Sequence, residues 1–429
     1  MAGNGTGPTD AGPGILARAK QAAANAAVYL SNALLYPLSK LLPRDPGLWA
    51  FGAPGGRFEG NAKYLFLWAT HRCRDTRCVW ISDSRALVGT LRARGYPARH
   101  RWSPAGIAAA ARAGTYFVND NSSDVNFALS GGAAVFNLWH GVGLKNVNRG
   151  ARVGFNAELF RRGSNPLVFI RNMRRFERPR WILATSQATA SEFFARCFDV
   201  PPASAPALGY PRLDPMIDPS IRELALSFDS YHDFDAAARS FARVVLYAPT
   251  VRTADASLLA EALPDLDALS AALAAQDAVL LLKLHPRSMP QQSLALPDNV
   301  RLLSENLDIY PVLDRIDAIV TDYSSLFFDY VFFRTSGVVL YTFDFDTYVT
   351  RDRDLAWDYA EVTVGTRAHD FAALCRIIRS GEAFAPLDPA VLDRVRRQFW
   401  DGPPSASTAA ERIVAFMGRS GSPVRAAAE

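Results

Sequence analysis

The sequence predicts an α/β protein made of two doubly wound domains that face each other across a cleft. Three observations support this prediction. The chain has 429 residues, which is more than one ordinary hydrophobic core accommodates. Short apolar segments typical of buried parallel strands alternate with helical patterns in both halves of the chain. Polar, reactive residues directly follow several of these segments, at the place where doubly wound sheets bind ligands.

The composition favours a folded protein with anionic partners. Apolar residues make up 49% of the chain and charged residues 21%, which is the profile of a globular protein. The formal net charge of +5 favours phosphates or an anionic membrane surface as partners. The sequence contains no nucleic-acid-binding motif and no basic stripe interleaved with aromatic residues, so no nucleic-acid partner is expected.

The first 44 residues are expected to lie outside the two domains. Residues 1–14 are Gly-rich and polar and predict a disordered tail. Residues 15–44 are rich in Ala and Leu and contain no acidic residue, which predicts a basic amphipathic helix. Pro37 and several polar residues interrupt its apolar run and argue against a transmembrane span. Two interpretations stay open: the helix associates with an anionic membrane face, which we favour, or it packs on the protein's own surface.

The pattern of apolar and helical segments predicts a first Rossmann-like domain over residues 45–215 and a second over residues 236–400. A polar, Pro-containing region connects them, and residues 401–429 predict a C-terminal helix and tail. The strand-like segments of the first domain are 48–52, 78–81, 115–118, 134–139 and 181–184. Those of the second domain are 244–247, 278–282, 318–320 and 338–341.

One stretch of the second domain, residues 317–330, combines the features of a phosphate site. A β-branched run over 318–320 is followed by Asp322, Ser324 and Ser325, and then by apolar residues at helical spacing. Either serine is a suitable N-cap, so the stretch predicts a strand, a tight turn and a helix. The start of such a helix directs unpaired N–H groups and the positive end of its dipole at one point, which suits a phosphate. The alternative interpretation is an ordinary capped helix.

Reactive side chains follow predicted strands at five places. One such residue is weak evidence, because a single His or a Pro-Arg pair is usually structural. Their repetition at strand ends favours a common ligand site. The residues are His140 with Gly141 and Lys145, Arg212, Arg252, Lys283 with His285, and Ser324 with Ser325.

These residues divide into two groups by their chemistry. His285, two arginines (Arg212 and Arg252) and the Ser324-Ser325 turn would bind a diphosphate through cationic and N–H donors. His140 belongs to the other domain, and its neutral imidazole is suited to taking a proton from an alcohol across the cleft. The implied reaction is displacement at phosphorus or at an anomeric carbon, with a nucleoside diphosphate as the activated donor.

The motifs at these strand ends resemble those of the CDP-glycerol glycerophosphotransferases, a family of teichoic-acid primases and polymerases and related capsule-polymer transferases. The resemblance spans about residues 52–402. One departure from the family pattern is Val142-Gly143, where the family usually has Thr-Pro. The motifs are Trp139-His140-Gly141 with Lys145, Gly209-Tyr210-Pro211-Arg212, Tyr247-Ala248-Pro249-Thr250 with Arg252, Leu284-His285-Pro286, and Thr321-Asp322-Tyr323-Ser324-Ser325 with Asp329.

The resemblance implies a GT-B type fold, with the donor bound in the C-terminal domain, in a peripheral protein on the cytoplasmic face of the cell membrane. It implies transfer of glycerol phosphate, or a related alditol phosphate, from a CDP-alditol such as CDP-glycerol. The acceptor would be a hydroxyl of a lipid-linked envelope glycan or teichoic-acid-like polymer, and CMP would be released without a cofactor. The alternative is a GT-B nucleotide-sugar glycosyltransferase of capsule or surface polysaccharide synthesis.

The family's residue roles are carried onto this sequence as expectations. His140 is expected to be the base and His285 a second catalytic histidine at the pyrophosphate. Asp329, one turn after Ser325, is interpreted either as a ribose ligand or as a local charge partner. The expected donor-site residues are Arg212, Arg252, Lys283, Asp322, Ser324 and Ser325, and the expected acceptor-side residues are Gly141 and Lys145.

Asp344 and Asp346 form an Asp-x-Asp pattern that binds a divalent metal ion in other glycosyltransferases. A helix N-terminus with cationic side chains already supplies that charge neutralisation. No metal site is therefore predicted.

Overall fold

The computed structural model describes residues 25–252, 258–285, 288 and 295–420. The predicted tail at residues 1–14 and the first part of the predicted N-terminal helix, residues 15–24, lie outside the described residues. The end of the predicted C-terminal tail, residues 421–429, lies outside them as well.

The apolar segments form the strands of two separate parallel sheets. The first sheet contains β1 Asp45–Phe51, β2 Arg77–Ser82, β3 Ala98–His100, β4 Ala113–Val118, β5 Ala134–Asn137 and β6 Trp181–Ile182. The second contains β7 Arg243–Ala248, β8 Ala278–Leu282, β9 Val300–Leu302, β10 Ala318–Thr321, β11 Val338–Tyr341 and β12 Thr366–Ala368.

Both sheets have the same strand order. The first is β3-β2-β1-β4-β5-β6, and the second, viewed from its other edge, is β9-β8-β7-β10-β11-β12. All paired strands in the two sheets are parallel. This is the order of a dinucleotide-binding Rossmann sheet, repeated twice. The predicted α/β class and the two Rossmann-like units are confirmed, in the arrangement of the GT-B type fold that the resemblance implied.

Helices pack around both sheets. In the first unit they are α1 Tyr36–Ser39, α2 Gly60–Arg72, α3 Arg85–Ala93, α4 Pro104–Arg112, α5 Gly154–Arg161, α6 Pro166–Arg171, α7 Met173–Phe176 and α8 Ala195–Phe198. In the connection and the second unit they are α9 Pro219–Leu226, α10 His232–Ser240, α11 Leu258–Ala262, α12 Leu266–Ala274, α13 Leu326–Phe333, α14 Phe345–Thr347, α15 Phe371–Ser380, α16 Pro389–Trp400 and α17 Ala409–Arg419. Across the residues that the structure describes, none of the helices is both long and apolar enough to cross a membrane.

One face of each sheet contributes to a core that the two units share. Phe51 and Phe117 of the first sheet and Leu246 and Ile319 of the second belong to the same cluster of buried side chains. The opposite faces pack into separate cores, as the alternation of side chains along a strand requires. Because buried apolar surface stabilises by about 25 cal/mol per Å², the shared core favours one placement of the units relative to each other.

The described part of the predicted N-terminal helix is helical from residue 25 to residue 39 and includes a π-helical turn at Ser31–Leu35. One side of it docks on the first unit. The Asn32 side chain donates to the carbonyl of Ile170 at 2.6 Å, and the Tyr36 ring stacks on Phe127 at 4.7 Å. The packing interpretation therefore accounts for one face of the helix, whereas several leucines on the rest of its surface are exposed.

The C-terminal helix α17 returns to the first unit. Its first two backbone N–H groups donate to the buried carboxylate of Asp214 at 2.7 and 3.0 Å. Its Phe416 ring contacts Phe136 of β5 and Trp181 of β6, with centroids 6.1 and 5.7 Å away. The last helix of the described chain thus completes the core of the unit formed by the first half of the sequence.

We expect Asp214→Ala to lower the free energy of unfolding by about 2–3 kcal/mol, because two buried N–H groups lose their acceptor. Asp388→Ala is the matched control, since Asp388 accepts from two N–H groups at the start of α16 but is exposed. Its loss is expected to be about 1 kcal/mol. Urea unfolding measures both variants, and equal losses would contradict the special role of the buried cap.

Candidate active site

A cleft between the two units lies at the carboxyl ends of strands β5, β7, β8 and β10. It consists of a small chamber of about 430 Å³ and a large chamber of about 660 Å³. His140 of the first unit and His285 of the second line both chambers. Pro249 and the Ser324-Ser325 turn line both as well. The structure therefore places the two predicted histidines and the predicted phosphate turn on the walls that these two chambers share.

The loop that carries His140 has a strained backbone that neighbouring side chains stabilise. Trp139 has a φ of +53°, which is rare for a bulky residue. The Asn137 side chain accepts from the N–H of Trp139 at 2.9 Å. The Asn61 amide donates to the carbonyls of Leu138 and Trp139, both at 2.9 Å. These bonds stabilise the turn that directs His140 into the cleft.

The His140 imidazole is oriented as a hydrogen-bond acceptor for the cleft. Its Nδ1 lies 3.1 Å from the carbonyl oxygen of Asn119. A carbonyl oxygen only accepts hydrogen bonds, so Nδ1 carries the proton and Nε2 is left with its lone pair. The His140 side chain is exposed in the cleft, yet desolvation by the surrounding protein lowers the pKa of its imidazole. Arg212 and Lys145 act in the same direction, against Asp120 and the hydrogen bond to Asn119. The imidazole is therefore neutral at pH 7.

Gly141 lies at a close approach of the two units. A Cβ atom at this position would be 2.7 Å from the Ser325 hydroxyl, so any larger residue would separate the loop from the Ser324-Ser325 turn. The Tyr210 hydroxyl donates to the carbonyl of Gly141 at 2.5 Å. Its predicted acceptor-side role stays a prediction, and the structure adds a steric reason for glycine.

The departure at Val142-Gly143 has a structural explanation. Gly143 has a φ of +90°, and a Cβ atom there would overlap the Phe193 ring at 2.4 Å. Proline requires a φ near −65°. The backbone of this loop is therefore incompatible with the Thr-Pro that the family usually has.

The start of helix α13 opens into the cleft. Ser325 lies at the N-cap position, and the Ser324 hydroxyl accepts from the N–H of Leu326 at 3.3 Å. All three residues line the large chamber. The helix start thus faces the cavity that also contains His140 and His285, as a phosphate-binding turn would.

Arg252 lines the small chamber, but its charge is already balanced by two carboxylates. It donates to Asp322 at 2.8 Å and to Asp344 at 2.6 Å. Asp322 also accepts from the N–H of Thr250 at 2.9 Å. These contacts shape the loop after β7, so the assignment of Arg252 and Asp322 to the pyrophosphate stays a prediction. The Asp344 carboxylate of the Asp-x-Asp pattern is used in this ion pair.

The two predicted lysines lie in different chambers. Lys145 is in the small chamber, 3.5 Å from the Thr250 hydroxyl, and burial lowers its pKa to about 8 despite the opposing charge of Asp322. Lys283 is in the large chamber and donates to the carbonyls of Ser304 and Glu305 at 3.0 and 2.6 Å. Burial also lowers the pKa of Lys283.

Arg212 and Asp329 form a buried ion pair away from the chamber surfaces. Arg212 is 4% exposed and Asp329 is fully buried, with 2.6 Å between Nη2 and Oδ2. The Tyr310 hydroxyl donates to the same carboxylate oxygen at 2.8 Å. Each of these side chains is used by the other, and the assignments of Arg212 to the pyrophosphate and of Asp329 to the ribose stay predictions. The charge-partner interpretation of Asp329 fits this geometry.

The ion pair is connected to the His140 loop. The backbone N–H of Arg212 donates to Asn61 at 3.2 Å, and the same Asn61 side chain holds the carbonyls before His140. Asp329 lies on α13, whose first turn faces the cleft. Hydrogen bonds therefore link the base candidate to the phosphate-site candidate through the protein interior.

Six charged residues outside the predicted set also line the large chamber. Asp120 comes two residues after β4, and the rule that selected His140 could have found it. No motif marks the other residues, which the tertiary fold brings into the chamber. They are Arg57, Glu59, Asp120, Arg175, Glu305 and Asp308.

The family follows from the match to known sequences. A family model described as CDP-Glycerol:Poly(glycerophosphate) glycerophosphotransferase matches residues 34–417. The chain belongs to this family. The match includes both sheets, the cleft and nearly all of α17.

Individual relatives are more distant. A teichoic acid ribitol-phosphate primase of Bacillus spizizenii is 27% identical over 46% of this chain and 49% of its own length. The teichoic acid ribitol-phosphate polymerase TarL of Staphylococcus aureus is 24% identical over 56% of this chain and 41% of its own length. The chain thus spans half or less of the length of these two relatives. A teichoic acid glycerol-phosphate transferase of Staphylococcus aureus is 24% identical over 79% of this chain and 86% of its own length.

A solved structure supports the same fold. The wall teichoic acid polymerase TagF superposes with a TM-score of 0.70 at 18% identity, covering 94% of this chain and 96% of the other. A histidine variant of TagF, soaked with CDPG, superposes with a TM-score of 0.71 at 18% identity and covers 95% of this chain and 98% of the other.

We expect Asp329→Ala to lower the free energy of unfolding by about 3–5 kcal/mol, because it leaves the Arg212 charge buried without a partner. Asp314→Ala removes a partner of Arg222 in a pair that is about one-third exposed, so its expected loss is at most about 1 kcal/mol. Urea unfolding of the two variants makes the comparison. Similar losses for both would refute the importance of the buried pair.

Proposed function

We propose that the protein transfers glycerol phosphate, or a related alditol phosphate, from a CDP-alditol to a hydroxyl of a lipid-linked envelope glycan or teichoic-acid-like polymer. The observation that carries this proposal is the shared cavity, in which His140 faces His285 and the Ser324-Ser325 turn. Family membership and the names of the teichoic acid relatives support the same substrate class.

In this proposal the donor diphosphate lies against the start of α13. Backbone N–H groups at Ser324 and Ser325, the positive end of the helix dipole and the His285 side chain stabilise its negative charge. The nucleoside lies toward the loop of the second unit that follows β9, whose residues 305–310 line the large chamber. Lys283 lies on this wall of the large chamber and contributes positive charge nearby.

The acceptor hydroxyl approaches from the first unit. His140 Nε2 takes its proton while the hydroxyl oxygen attacks the phosphorus that carries the alditol. The bond from this phosphorus to the oxygen that bridges the two phosphates breaks, and CMP leaves with that oxygen. The new bond joins the acceptor oxygen to the alditol phosphate, so the product is a phosphodiester. The fixed Nδ1–H bond to Asn119 keeps Nε2 directed at the acceptor.

We expect His140→Ala to lower kcat by about 10²–10⁴-fold, the contribution of a positioned general base, with CDP binding nearly unchanged. The assay is CMP release by the full chain with CDP-glycerol and a lipid-linked acceptor, and calorimetry measures CDP binding. Combined loss of turnover and CDP binding would assign His140 a structural role instead. Turnover of a nucleotide sugar, with none for any CDP-alditol, would favour the GT-B glycosyltransferase alternative.

The pH profile is a second readout of the same prediction. Because His140 acts unprotonated and desolvation by the surrounding protein lowers its pKa, kcat/KM should stay high at pH 7 and fall only in more acidic solution. Asp120 raises the pKa of His140, against Arg212 and Lys145, which lower it. Asp120→Asn should therefore move this acidic limb to lower pH. An unmoved limb would mean that another group titrates.

We further propose that the protein binds peripherally to the cytoplasmic face of the cell membrane through its N-terminal helix. The docked side of this helix faces the first unit, while Leu34, Leu38 and Leu41 are more than half exposed. The adjacent helix α6 exposes Leu167 at 64%. Apolar side chains from two neighbouring elements, with Lys40 directly after the helix, suit an anionic bilayer interface.

Replacing Leu34, Leu38 and Leu41 together by Asp should reduce sedimentation with anionic liposomes by at least tenfold, because three inserted side chains are lost and negative charge is added. Ile107→Asp, at an exposed apolar residue of α4, is the control and should leave binding unchanged. Undiminished binding of the triple variant would reject the membrane role of this helix.

A further inference from the structure

The large chamber has basic groups on its first-unit wall that the proposed donor site does not use. Arg57 and Arg175 line this chamber together with His140 and Asp120. Both arginine side chains are about 40% exposed. On the opposite wall, Lys283 is partly occupied by two backbone carbonyls. The first-unit arginines are therefore well placed to meet an anionic ligand that enters the chamber.

The carboxylates beside these arginines hold them loosely. Arg175 Nη1 lies 4.0 Å from Asp120 Oδ2, which is longer than a hydrogen bond. Arg57 contacts Glu59 at 2.8 Å, but both side chains are exposed, and exposed ion pairs contribute little to stability. A phosphate offers bidentate acceptors that match the planar guanidinium fork, so it can replace these partners.

Arg175 lies between the exposed apolar surface and His140. Helix α6 exposes Leu167 and is bound to the N-terminal helix through Asn32. Helix α7 follows α6 directly and carries Arg175. Asp120, the partner of Arg175, is close enough to His140 to affect its pKa. The exposed Leu167, the Arg175 guanidinium and the His140 imidazole are thus connected in this order through neighbouring elements of the first unit.

This order matches the chemical order of a lipid-linked acceptor, which has an apolar anchor, a phosphate linkage and a terminal hydroxyl. We infer that Arg175, with Arg57, binds a phosphate of the acceptor and so presents the acceptor hydroxyl to His140. The inference rests on the proposed function and identifies the substrate of this part of the cleft as an anionic phosphate ester. Two sources share this chemistry, the phosphate next to the lipid and a phosphodiester of the growing polymer.

The test compares Arg175→Gln with Arg174→Gln. Arg174 is on the same helix and exposed but is not among the described residues that line either chamber. Three synthetic acceptors are used in detergent micelles: a prenyl diphosphate glycan, an alkyl glycan ending in glycerol phosphate, and a neutral alkyl glycan. Thermophoresis measures acceptor binding without donor, and CMP release gives KM for the acceptor and for CDP-glycerol.

We expect Arg175→Gln to weaken binding of a phosphate-bearing acceptor about tenfold, as the loss of one charge-assisted contact predicts. Binding of the neutral glycan and the KM for CDP-glycerol should change less than twofold. Arg175→Lys should recover part of the loss, and Arg174→Gln should behave like the unsubstituted chain. A defect confined to the diphosphate acceptor assigns the site to the lipid phosphate, and one confined to the glycerol phosphate acceptor assigns it to the polymer.

Other outcomes overturn the inference. In Arg175→Gln, these are an equally weakened binding of the neutral glycan and a raised KM for CDP-glycerol. The others are an equal binding defect in Arg174→Gln and failure of the unsubstituted chain to bind any phosphate-bearing acceptor. The thermal unfolding midpoint of each variant checks that the fold is intact. A further result is that the unsubstituted chain binds these acceptors more tightly than Arg175→Gln and still releases no CMP. That result contradicts the proposed function but supports the acceptor site.

Discussion

The buried ion pair between Arg212 and Asp329 constrains the candidate site more than any other contact described above. Arg212 belongs to the segment that follows the first sheet, and Asp329 belongs to the helix that opens the phosphate-site candidate in the second unit. Separation of two such charges in a region with little water is costly, so the pair fixes the distance between these elements. Asn61 extends the constraint to the loop of His140. The base candidate and the phosphate-site candidate are consequently connected through one network of contacts.

This arrangement requires a strained and tightly packed backbone at the cleft. Trp139 has a left-handed backbone, and Gly141 has no room for a side chain beside Ser325. Such features persist only where the surroundings stabilise them, and here the shared apolar core and the hydrogen bonds of Asn61 and Tyr210 do so. The cleft is thereby organised before any substrate binds, which lowers the ordering cost of reaching a reactive geometry.

The sequence predicted the central strands well because their apolar runs are long and uninterrupted. It missed the short strands β3, β9 and β12, each of which lies at or near a sheet edge and has an arginine in the middle. At the site, the rule that ligands bind beyond strand ends located His140, His285 and the Ser324-Ser325 turn in one cavity. The same rule selected Arg212, whose buried partner Asp329 the sequence does not show. Arg175 lies on a short helix and does not directly follow a strand in the sequence, so only the tertiary fold reveals its position.

The return of α17 to the first sheet has a consequence for biosynthesis. Phe136 and Trp181 are translated more than 200 residues before Phe416, the ring that covers them. A nascent first unit therefore emerges from the ribosome with an incomplete core, although domains of large proteins commonly fold as independent units during translation. The path of the chain therefore leaves this aromatic surface uncovered until Phe416 has been synthesised.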